Sequence, residues 1–257
     1  MRALSSVSAV FPCYNDGGTI ASVVLRARAA LEELTNDYEI VVVNDGSADY
    51  SASILEQLVT LVPGLRVITH DHNRGYGGAL RSGLGAAMKD YIFYTDGDAQ
   101  YDPQEVLRLS DLMTDDVDVV NGYKVRRNDP LSRKVAGGLY RFTIRRIFGL
   151  VIRDVDCDFR LMRRALMEKV ELRVNSGAFC VELMKKLQNA GARIVELPVQ
   201  HYLRPYGRSQ FFRPRRVART FIDLFRLWWR LSISGAERAT AEQPVTQGGA
   251  SADPPGD

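Results

Sequence analysis

Short apolar runs alternate with helix-patterned segments through the first half of the chain. The runs are nearly continuous in apolar residues, whereas the segments between them repeat apolar positions with the 3.6-residue period of a helix. The predicted strands are Val7–Cys13, Glu39–Asn44, Arg66–Thr69 and Tyr91–Thr95, and the predicted helices between them are Thr19–Leu34, Ser51–Leu61 and Gly77–Met88. This β-α-β order predicts an α/β fold, with a mostly parallel sheet flanked by helices on both faces.

The pattern is less regular in the second half. It predicts a strand at 117–120, a basic loop at 124–134, a helix at 135–148, an acidic turn at 154–158, a helix at 179–190 and a strand at 193–199. A basic amphipathic helix is predicted at 213–231, and the Ala, Glu, Gln, Gly and Pro content of 232–257 predicts a disordered tail. We therefore expect one α/β domain over residues 1–212, followed by the helix and the tail.

Polar clusters follow each of the first four predicted strands. They are Tyr14-Asn15-Asp16-Gly17, Asn44-Asp45-Gly46-Ser47, the loop from His70 to Gly78, and the turn from Asp96 to Gln100. Right-handed crossovers place the carboxyl ends of parallel strands at one edge of a sheet, where such sheets bind their ligands. The four loops are therefore predicted to form one site.

The turn after the fourth strand carries two carboxylates and an amide, Asp96, Asp98 and Gln100, at alternate positions. These side chains offer only oxygen ligands, which suit Mg²⁺ or Mn²⁺, and Mg²⁺ usually shares its coordination shell with substrate phosphates. The pair of carboxylates alone also fits an ordinary surface turn. Because this turn is predicted to lie beside the other three loops, a cation site is favoured over a surface turn.

Charge and cysteine content narrow the class of protein. The 34 Lys and Arg residues exceed the 31 Asp and Glu residues by only three, which does not indicate a nucleic-acid-binding protein. Cys13, Cys157 and Cys180 are widely spaced, without the pattern of a disulfide framework or a zinc site, and fit a reducing cytoplasm. A signal peptide is not evident, and no apolar run approaches the roughly 18–20 residues of a membrane span. A globular cytoplasmic protein is predicted.

Several motifs then occur in the order typical of family 2 glycosyltransferases. They are Phe-Pro-Cys-Tyr-Asn-Asp at 11–16, Asn-Asp-Gly-Ser at 44–47, Asn-Arg-Gly at 73–75 and Asp-x-Asp-x-Gln at 96–100. The segments 154–160 and 204–209 look like those of the polyprenyl-phosphate branch, such as dolichol-phosphate mannose synthases. The resemblance covers Val7 to Trp229 and implies a GT-A fold, with a nucleotide-sugar half at about 1–122 and an acceptor half at about 123–212.

The resemblance implies roles for individual residues. Pro12, Tyr14, Asp16, Asp45 and Asp96 would bind the nucleotide, while Asp96, Asp98 and Gln100 would hold Mg²⁺ or Mn²⁺. Such a cation stabilises negative charge on a leaving diphosphate. The alternative for Asp16 and Asp45 is that they cap the helices that follow.

In the acceptor half, the resemblance implies a phosphate site made of Arg126, Arg133, Arg204, Arg208 and Ser209. Guanidinium groups suit phosphate oxygens, although these arginines also fit a solvated basic surface. Three positions depart from the family pattern: Lys124 in place of Arg, Asp158 in place of Gly, and Gln210 in place of Lys.

The resulting hypothesis is a metal-dependent, inverting transfer of a sugar from a UDP- or GDP-sugar to a polyprenyl phosphate, with Asp98, Asp154 and Arg204 as catalytic residues. A phosphate monoester, with a second pKa of ~6, is already largely dianionic at neutral pH and needs no strong base. An alternative is transfer to a sugar or metabolite hydroxyl, which requires a base. The candidate bases are Asp154, Asp156, Asp158 and Glu182. A third hypothesis is a nucleotide-sugar-binding subunit without catalysis.

Two further segments have competing interpretations. The apolar side of the 213–231 helix suits either the inner face of a membrane, as a peripheral anchor, or packing on the domain, another subunit or a membrane-protein partner. In the 70–78 loop, the glycines are predicted to let the chain turn tightly and the following helix pack close to the sheet. His70 and His72 are predicted to be an exposed pair rather than metal ligands.

Overall fold

A computed structural model describes residues 2–125, 131–207 and 214–233 of the chain. Within these residues seven strands form one sheet: β1 (Val7–Cys13), β2 (Tyr38–Asn44), β3 (Leu65–Thr69), β4 (Tyr91–Thr95), β5 (Val119–Lys124), β6 (Phe159–Arg163) and β7 (Ile194–Val199). The helices are α1 (Ile20–Leu34), α2 (Ser51–Leu61), α3 (Tyr76–Ala86), α4 (Val106–Leu112), α5 (Leu131–Phe148), α6 (Phe179–Asn189) and α7 (Pro214–Trp228).

The sheet is mostly parallel, with the strand order β3-β2-β1-β4-β6-β5-β7. β1 pairs in parallel with β2 and β4, and β2 pairs in parallel with β3. β6 runs antiparallel between β4 and β5, while β7 pairs in parallel with β5 at the edge. The predicted α/β fold is thereby confirmed, and the carboxyl ends of β1, β2, β3 and β4 share one edge.

Two apolar layers cover the sheet, as the continuous apolar strands predict. One joins Phe11 of β1 to buried residues of α1, α2 and α4. The other joins Val10, on the opposite face of the same strand, to α3, α5, α6 and α7. Burial on both faces explains why the strands lack the polar-apolar alternation of a half-exposed sheet.

Two elements were missed, and the bounds of two others differ most from the prediction. β6 and α4 were not predicted; β5 begins at Val119 rather than Val117; and α5 begins at Leu131, so the end of the predicted basic loop is helical. β6 escaped prediction because Arg160, a fully buried arginine, interrupts its apolar pattern. Its guanidinium donates to Asn121 Oδ1 at 2.7 Å and to the Tyr94 hydroxyl, which satisfies the buried charge.

All three cysteines are free and buried. Among the described residues, none of the helices combines the length and apolar character needed to cross a bilayer. Arg126, Arg208, Ser209, Gln210 and most of the predicted tail lie outside the described residues, as does the side chain of Arg133.

Candidate active site

The loops after β1 and β4 meet closely at the edge of the sheet. A Cβ added to Gly97 would lie 2.6 Å from the Pro12 carbonyl oxygen, so this turn requires glycine. Each loop also holds a non-glycine residue in the left-handed region, Asn15 at φ 57° and Ala99 at φ 58°. Such backbone is costly and often marks functional turns. The predicted meeting of these two loops is therefore found.

Asp16 lies in the loop after β1 and is buried. The space between this loop and the 96–100 turn is here called the cleft. Its Oδ2 accepts the Tyr14 amide at 3.1 Å, and its backbone amide donates to Ser51 Oγ at 3.1 Å. The N-cap residue of α1 is Thr19, so the Asp16 side chain does not take the helix-cap position. Burial raises the pKa of Asp16 to about 6, while the positive charge of Arg204 acts in the opposite direction. Because it does not cap α1, the Asp16 carboxylate can bind a charged group in the cleft.

Arg204 joins Asp16 to Asp98. Its Nη2 lies 2.5 Å from Asp16 Oδ1, and its Nη1 lies 3.1 Å from Asp98 Oδ2. Asp98 Oδ1 accepts the Gln100 amide at 3.0 Å. Burial raises the pKa of Asp98, and the charges of Arg204 and Lys124 oppose that rise. The structure therefore brings together Asp16, Asp98 and Arg204, which the resemblance assigned to the nucleotide, the cation and the acceptor phosphate, respectively.

Asp96 is held by Tyr76, a residue that was not predicted. The Tyr76 hydroxyl donates to Asp96 Oδ1 at 2.8 Å. Burial raises the pKa of Asp96 well above its ordinary value, and the nearby charges of Asp158 and Asp98 add to the rise. The pKa of Asp158 is raised to about 7, again mainly by burial. These carboxylates form a buried acidic cluster in which burial disfavours the ionised forms of Asp96, Asp98 and Asp158.

A divalent cation fits this donor set. Gln100 donates its side-chain amide to the Tyr202 carbonyl at 3.0 Å, which leaves its amide oxygen outside that hydrogen bond. Two carboxylates and an amide oxygen are hard ligands. A cation would offset the burial that raises the pKa values of Asp96 and Asp98, and at Asp96 it would also offset the repulsion from Asp158 and Asp98. Among the described residues, no group of three His, Cys, Asp or Glu side chains forms a metal site by itself. Substrate oxygens would therefore have to complete the coordination.

Asp45, predicted to bind the nucleotide, faces the 70–75 loop. It accepts three hydrogen bonds: from His70 Nδ1 at 2.7 Å, from the Arg74 amide at 2.8 Å and from the Gly75 amide at 3.0 Å. The N-cap of α2 is Tyr50, so Asp45 does not cap that helix. The expectation of an exposed histidine pair is wrong for His70, which is 4% exposed. Asp45 shapes the loop that carries Tyr76.

The glycines of this loop permit a close approach, although the neighbour is not the sheet that was predicted. Gly75 has φ 90°, and a Cβ there would lie 2.6 Å from the Asn175 carbonyl oxygen. Gly77 donates its amide to that same oxygen at 3.0 Å. The close packing is therefore against the 174–175 segment, and it fixes the first turn of α3 where Tyr76 reaches Asp96.

Lys124 links the acidic cluster to the 154–158 turn. Its ammonium donates to the Asp156 carbonyl at 2.7 Å, and its amide lies 3.4 Å from Asp154 Oδ2. Its charge lowers the pKa values of both Asp96 and Asp98. From the sequence, Lys124 was identified only as a departure from the family pattern. Its position at the carboxyl end of β5, at the same edge of the sheet, was the available signal.

Two other predicted residues have defined surroundings. The guanidinium of Arg216, on α7, lies 5.6 Å from the centre of the Tyr14 ring, so the aromatic face predicted to meet a nucleotide contacts a cation here. Glu182 is fully buried and accepts the amides of Arg173 at 2.9 Å and Val174 at 2.8 Å. Tyr206 was not predicted, and its ring packs edge-on against Tyr50.

Curated relatives share much of this sequence. The chain is 32% identical over 223 residues to an undecaprenyl-phosphate 4-deoxy-4-formamido-L-arabinose transferase of Pseudomonas fluorescens (strain Pf0-1), covering 85% of this chain and 63% of the relative. It is 33% identical over 214 residues to the protein of the same name from Enterobacter sp. (strain 638), covering 82% of this chain and 64% of the relative. The chain thus spans less than two thirds of the length of these relatives.

Solved structures share the fold at low sequence identity. Glucosyl-3-phosphoglycerate synthase from Mycobacterium tuberculosis, in complex with Mn²⁺, uridine diphosphate and glucosyl-3-phosphoglycerate, has a TM-score of 0.64 and 18% identity, covering 88% of this chain and 79% of that one. A mannosyltransferase from Pyrobaculum calidifontis, in complex with GDP-mannose and Mn²⁺, has a TM-score of 0.62 and 19% identity, covering 91% and 72%. These likenesses show a GT-A fold.

The family model covers the strand-end loops of the cleft, although not the segment that carries Arg204. Its match extends over residues 8–171, and thus includes Asp16 after β1, the Asp96–Gln100 turn after β4 and the acidic 154–158 turn. The match takes in more than half of the chain, and it agrees with the motifs, the sheet order and the identity to curated relatives. On this evidence the chain belongs to glycosyl transferase family 2.

Proposed function

We propose that this protein is a metal-dependent, inverting glycosyltransferase that moves a sugar from a nucleoside-diphosphate sugar to a polyprenyl phosphate. The observation that carries the proposal is the meeting of Asp16, Asp98 and Arg204 at the ligand-binding edge of the sheet. The identity to undecaprenyl-phosphate sugar transferases supports the choice of acceptor.

In this proposal the donor binds across the ends of β1 and β4. Asp96, Asp98 and Gln100 would hold Mg²⁺ or Mn²⁺, which supplies positive charge to the leaving diphosphate. Pro12, Tyr14, Asp16 and Asp45 stay the predicted nucleotide contacts, although Asp45 also has the structural role described above. Tyr76 would orient Asp96, and Lys124 would add positive charge beside the diphosphate.

The acceptor phosphate would be bound by Arg204 together with Arg126, Arg133, Arg208 and Ser209. A phosphate oxygen attacks the anomeric carbon, and the bond from that carbon to the diphosphate oxygen breaks. The electron pair leaves with the nucleoside diphosphate, and the configuration at carbon inverts. A largely dianionic phosphate needs no proton removed, so positioning replaces a strong base.

Transfer to a hydroxyl acceptor is less well supported. It requires a base, and Glu182 is engaged by two backbone amides and by Lys186 at 3.2 Å. Asp158 is held by Arg160 at 3.2 Å and by the Cys180 thiol at 2.9 Å. Asp154 and Asp156 remain the candidate bases for this alternative.

Helix α7 fits access to a lipid acceptor. Its Leu224 and Leu227 are buried in the second apolar layer, whereas Phe221 and Phe225 are more than half exposed. A groove of about 730 Å³ beside the helix is lined by Phe225 and Trp229 and by arginines. We propose that this face lies against an anionic membrane surface. Reduced sedimentation of a Phe225→Ser variant with acidic phospholipid vesicles, relative to wild type, would support this placement.

One panel tests the reaction. Each common UDP- and GDP-sugar is incubated with Mn²⁺ or Mg²⁺, with and without a short polyprenyl phosphate, and released nucleotide is measured. We expect release that requires both the lipid phosphate and the cation. Release that depends on a sugar hydroxyl acceptor instead would favour the alternative enzyme, and nucleotide-sugar binding without any release would favour a non-catalytic subunit.

A further inference from the structure

The segment from Tyr202 to Gly207, here called the strap, connects the two halves of the donor site. At one end the Tyr202 amide donates to the Gln100 carbonyl at 2.8 Å, and the Gln100 side chain donates back to the Tyr202 carbonyl at 3.0 Å. At the other end the Tyr206 ring covers Gly18 so closely that a Cβ there would lie 2.5 Å from it. The strap is therefore fixed to both loops that surround the proposed cation site.

Arg204, in the middle of the strap, forms ion pairs with two of the acidic side chains of the cleft. Its fork reaches Asp16 at 2.5 Å and Asp98 at 3.1 Å, and both aspartates are less than 10% exposed. Asp98 Oδ1 already accepts the Gln100 amide. Both oxygens of this proposed cation ligand are thus engaged, and one of them is engaged by a positive charge.

The charge of Arg204 has opposite effects on two possible occupants of the site. A bare divalent cation on Asp98 would lie within a few ångströms of the guanidinium, and like charges at that separation in a buried site repel strongly. A nucleoside diphosphate carries more negative charge than the divalent cation can neutralise. Its phosphate oxygens are also preferred partners of a guanidinium fork. The same arginine therefore disfavours the cation alone and favours the cation with a nucleotide.

We propose that Arg204 is a placeholder for the cation. It holds the strap across the donor site, weakens binding of a bare cation, and moves from Asp98 to the diphosphate when cation and nucleotide bind together. This inference rests on the cation site of the proposed function. It goes beyond that function by making nucleotide and cation binding cooperative, and by giving the Arg204 fork a contact to the donor diphosphate in addition to the acceptor phosphate.

The test is a Mn²⁺ titration, followed by the electron paramagnetic resonance signal of the free ion, with and without uridine or guanosine diphosphate. We expect Arg204→Gln to bind bare Mn²⁺ about tenfold more tightly than wild type, and the nucleotide to improve Mn²⁺ affinity less than in wild type. Arg204→Lys keeps the charge, so it should bind bare Mn²⁺ as weakly as wild type. Arg26→Gln is the matched control, because Arg26 pairs with Asp102 at 2.9 Å outside the cleft.

Unchanged or weaker binding of bare Mn²⁺ by Arg204→Gln would overturn the placeholder role. The wild-type protein gives a check that needs no variant, since equal Mn²⁺ affinity with and without nucleotide would also overturn it. Asp98→Asn separates this failure from failure of the proposed function. If Asp98→Asn binds Mn²⁺ as wild type does, the cation site itself is wrong; if it loses binding while Arg204→Gln is unchanged, only the placeholder is wrong.

Discussion

The loops after β2 and β4 each carry a buried aspartate at the same edge of the sheet, yet the two carboxylates have different partners. Asp45 accepts hydrogen bonds from the His70 ring and from two backbone amides of the adjacent loop. Asp98 accepts one backbone amide and faces Arg204, a charged side chain from the strap. The exposed fractions are 2% and 7%, so burial does not distinguish them.

The comparison shows that the kind of partner, rather than depth or position at a strand end, separates a structural carboxylate from a reactive one. Backbone amides cannot leave without unfolding a loop, so Asp45 stays bound to the 70–75 segment even when it contacts a nucleotide. A guanidinium on a connecting segment can exchange one anion for another. Asp98 is therefore the aspartate able to change partners during a reaction.

The largest expected effect is that of Asp98→Asn on activity. The variant removes a negative charge from the proposed cation site, so we expect the rate of sugar transfer to fall about a thousandfold. Folding should be retained, because burial disfavours the charge of Asp98, as its raised pKa indicates, and asparagine removes that charge. The initial rate of nucleotide release at saturating Mn²⁺ measures the effect. A rate within tenfold of wild type would remove Asp98 from the mechanism.

The matching change at Asp45 should act on stability instead. In Asp45→Asn a side-chain amide offers a single acceptor oxygen to donors that now share a carboxylate, so the variant is expected to lower the free energy of unfolding by about 3 kcal/mol. Urea denaturation measures this loss. Affinity for Mn²⁺ should stay within about twofold of wild type, because Asp45 contributes nothing to the cation site. A large loss of Mn²⁺ affinity in a folded Asp45→Asn protein would erase the contrast between the two loops.

A third buried aspartate, Asp16, extends the comparison to the pH dependence of the free energy of unfolding. Burial raises its pKa from 3.8 to about 6, so between these pH values the folded protein keeps a proton that the unfolded chain has lost. The contribution of Asp16 to stability therefore falls as pH rises from about 4 to about 6, and is constant above that. The free energy of unfolding of Asp16→Asn, relative to wild type, should rise by about 2 kcal/mol from pH 4 to pH 7. Urea unfolding of both proteins in metal-free buffer tests this, and a pH-independent difference would contradict it.

The smallest expected effect is that of Tyr76→Phe. Loss of the hydroxyl that orients Asp96 should weaken Mn²⁺ binding in the presence of nucleotide by about tenfold, as loss of hydrogen bonds to metal ligands commonly does. Tyr91→Phe is the control, since its hydroxyl accepts from Arg163 at 3.2 Å, away from the Asp96 carboxylate. Equal Mn²⁺ affinities of the two variants would show that Asp96 needs no support from Tyr76.

The sequence predicts the donor side of the fold well because its signals are local. β1, α2 and β4 have the predicted limits, and their polar ends need only the parallel order to be placed at one edge. The partners of Asp45 were not predictable in this way. Their identity depends on how the 70–75 loop turns back, which no periodic pattern records.

The acceptor side is less predictable because its charges are paired inside the protein. Arg160 in β6 looks like a surface residue in the sequence, but it is fully buried among Tyr94, Asn121 and Asp158. Similarly, the bridge from Arg204 to Asp16 joins positions at opposite ends of the chain. Contacts of this kind depend on tertiary structure alone.

The burial of all three thiols has a practical consequence. Burial raises the pKa of Cys13 to about 12 and also raises the pKa values of Cys157 and Cys180, so almost no reactive thiolate is present at neutral pH. A cysteine introduced in place of Leu203, which is 70% exposed, would therefore be labelled selectively by a maleimide fluorophore. The otherwise native protein could then report the position of the strap in real time as donor is added.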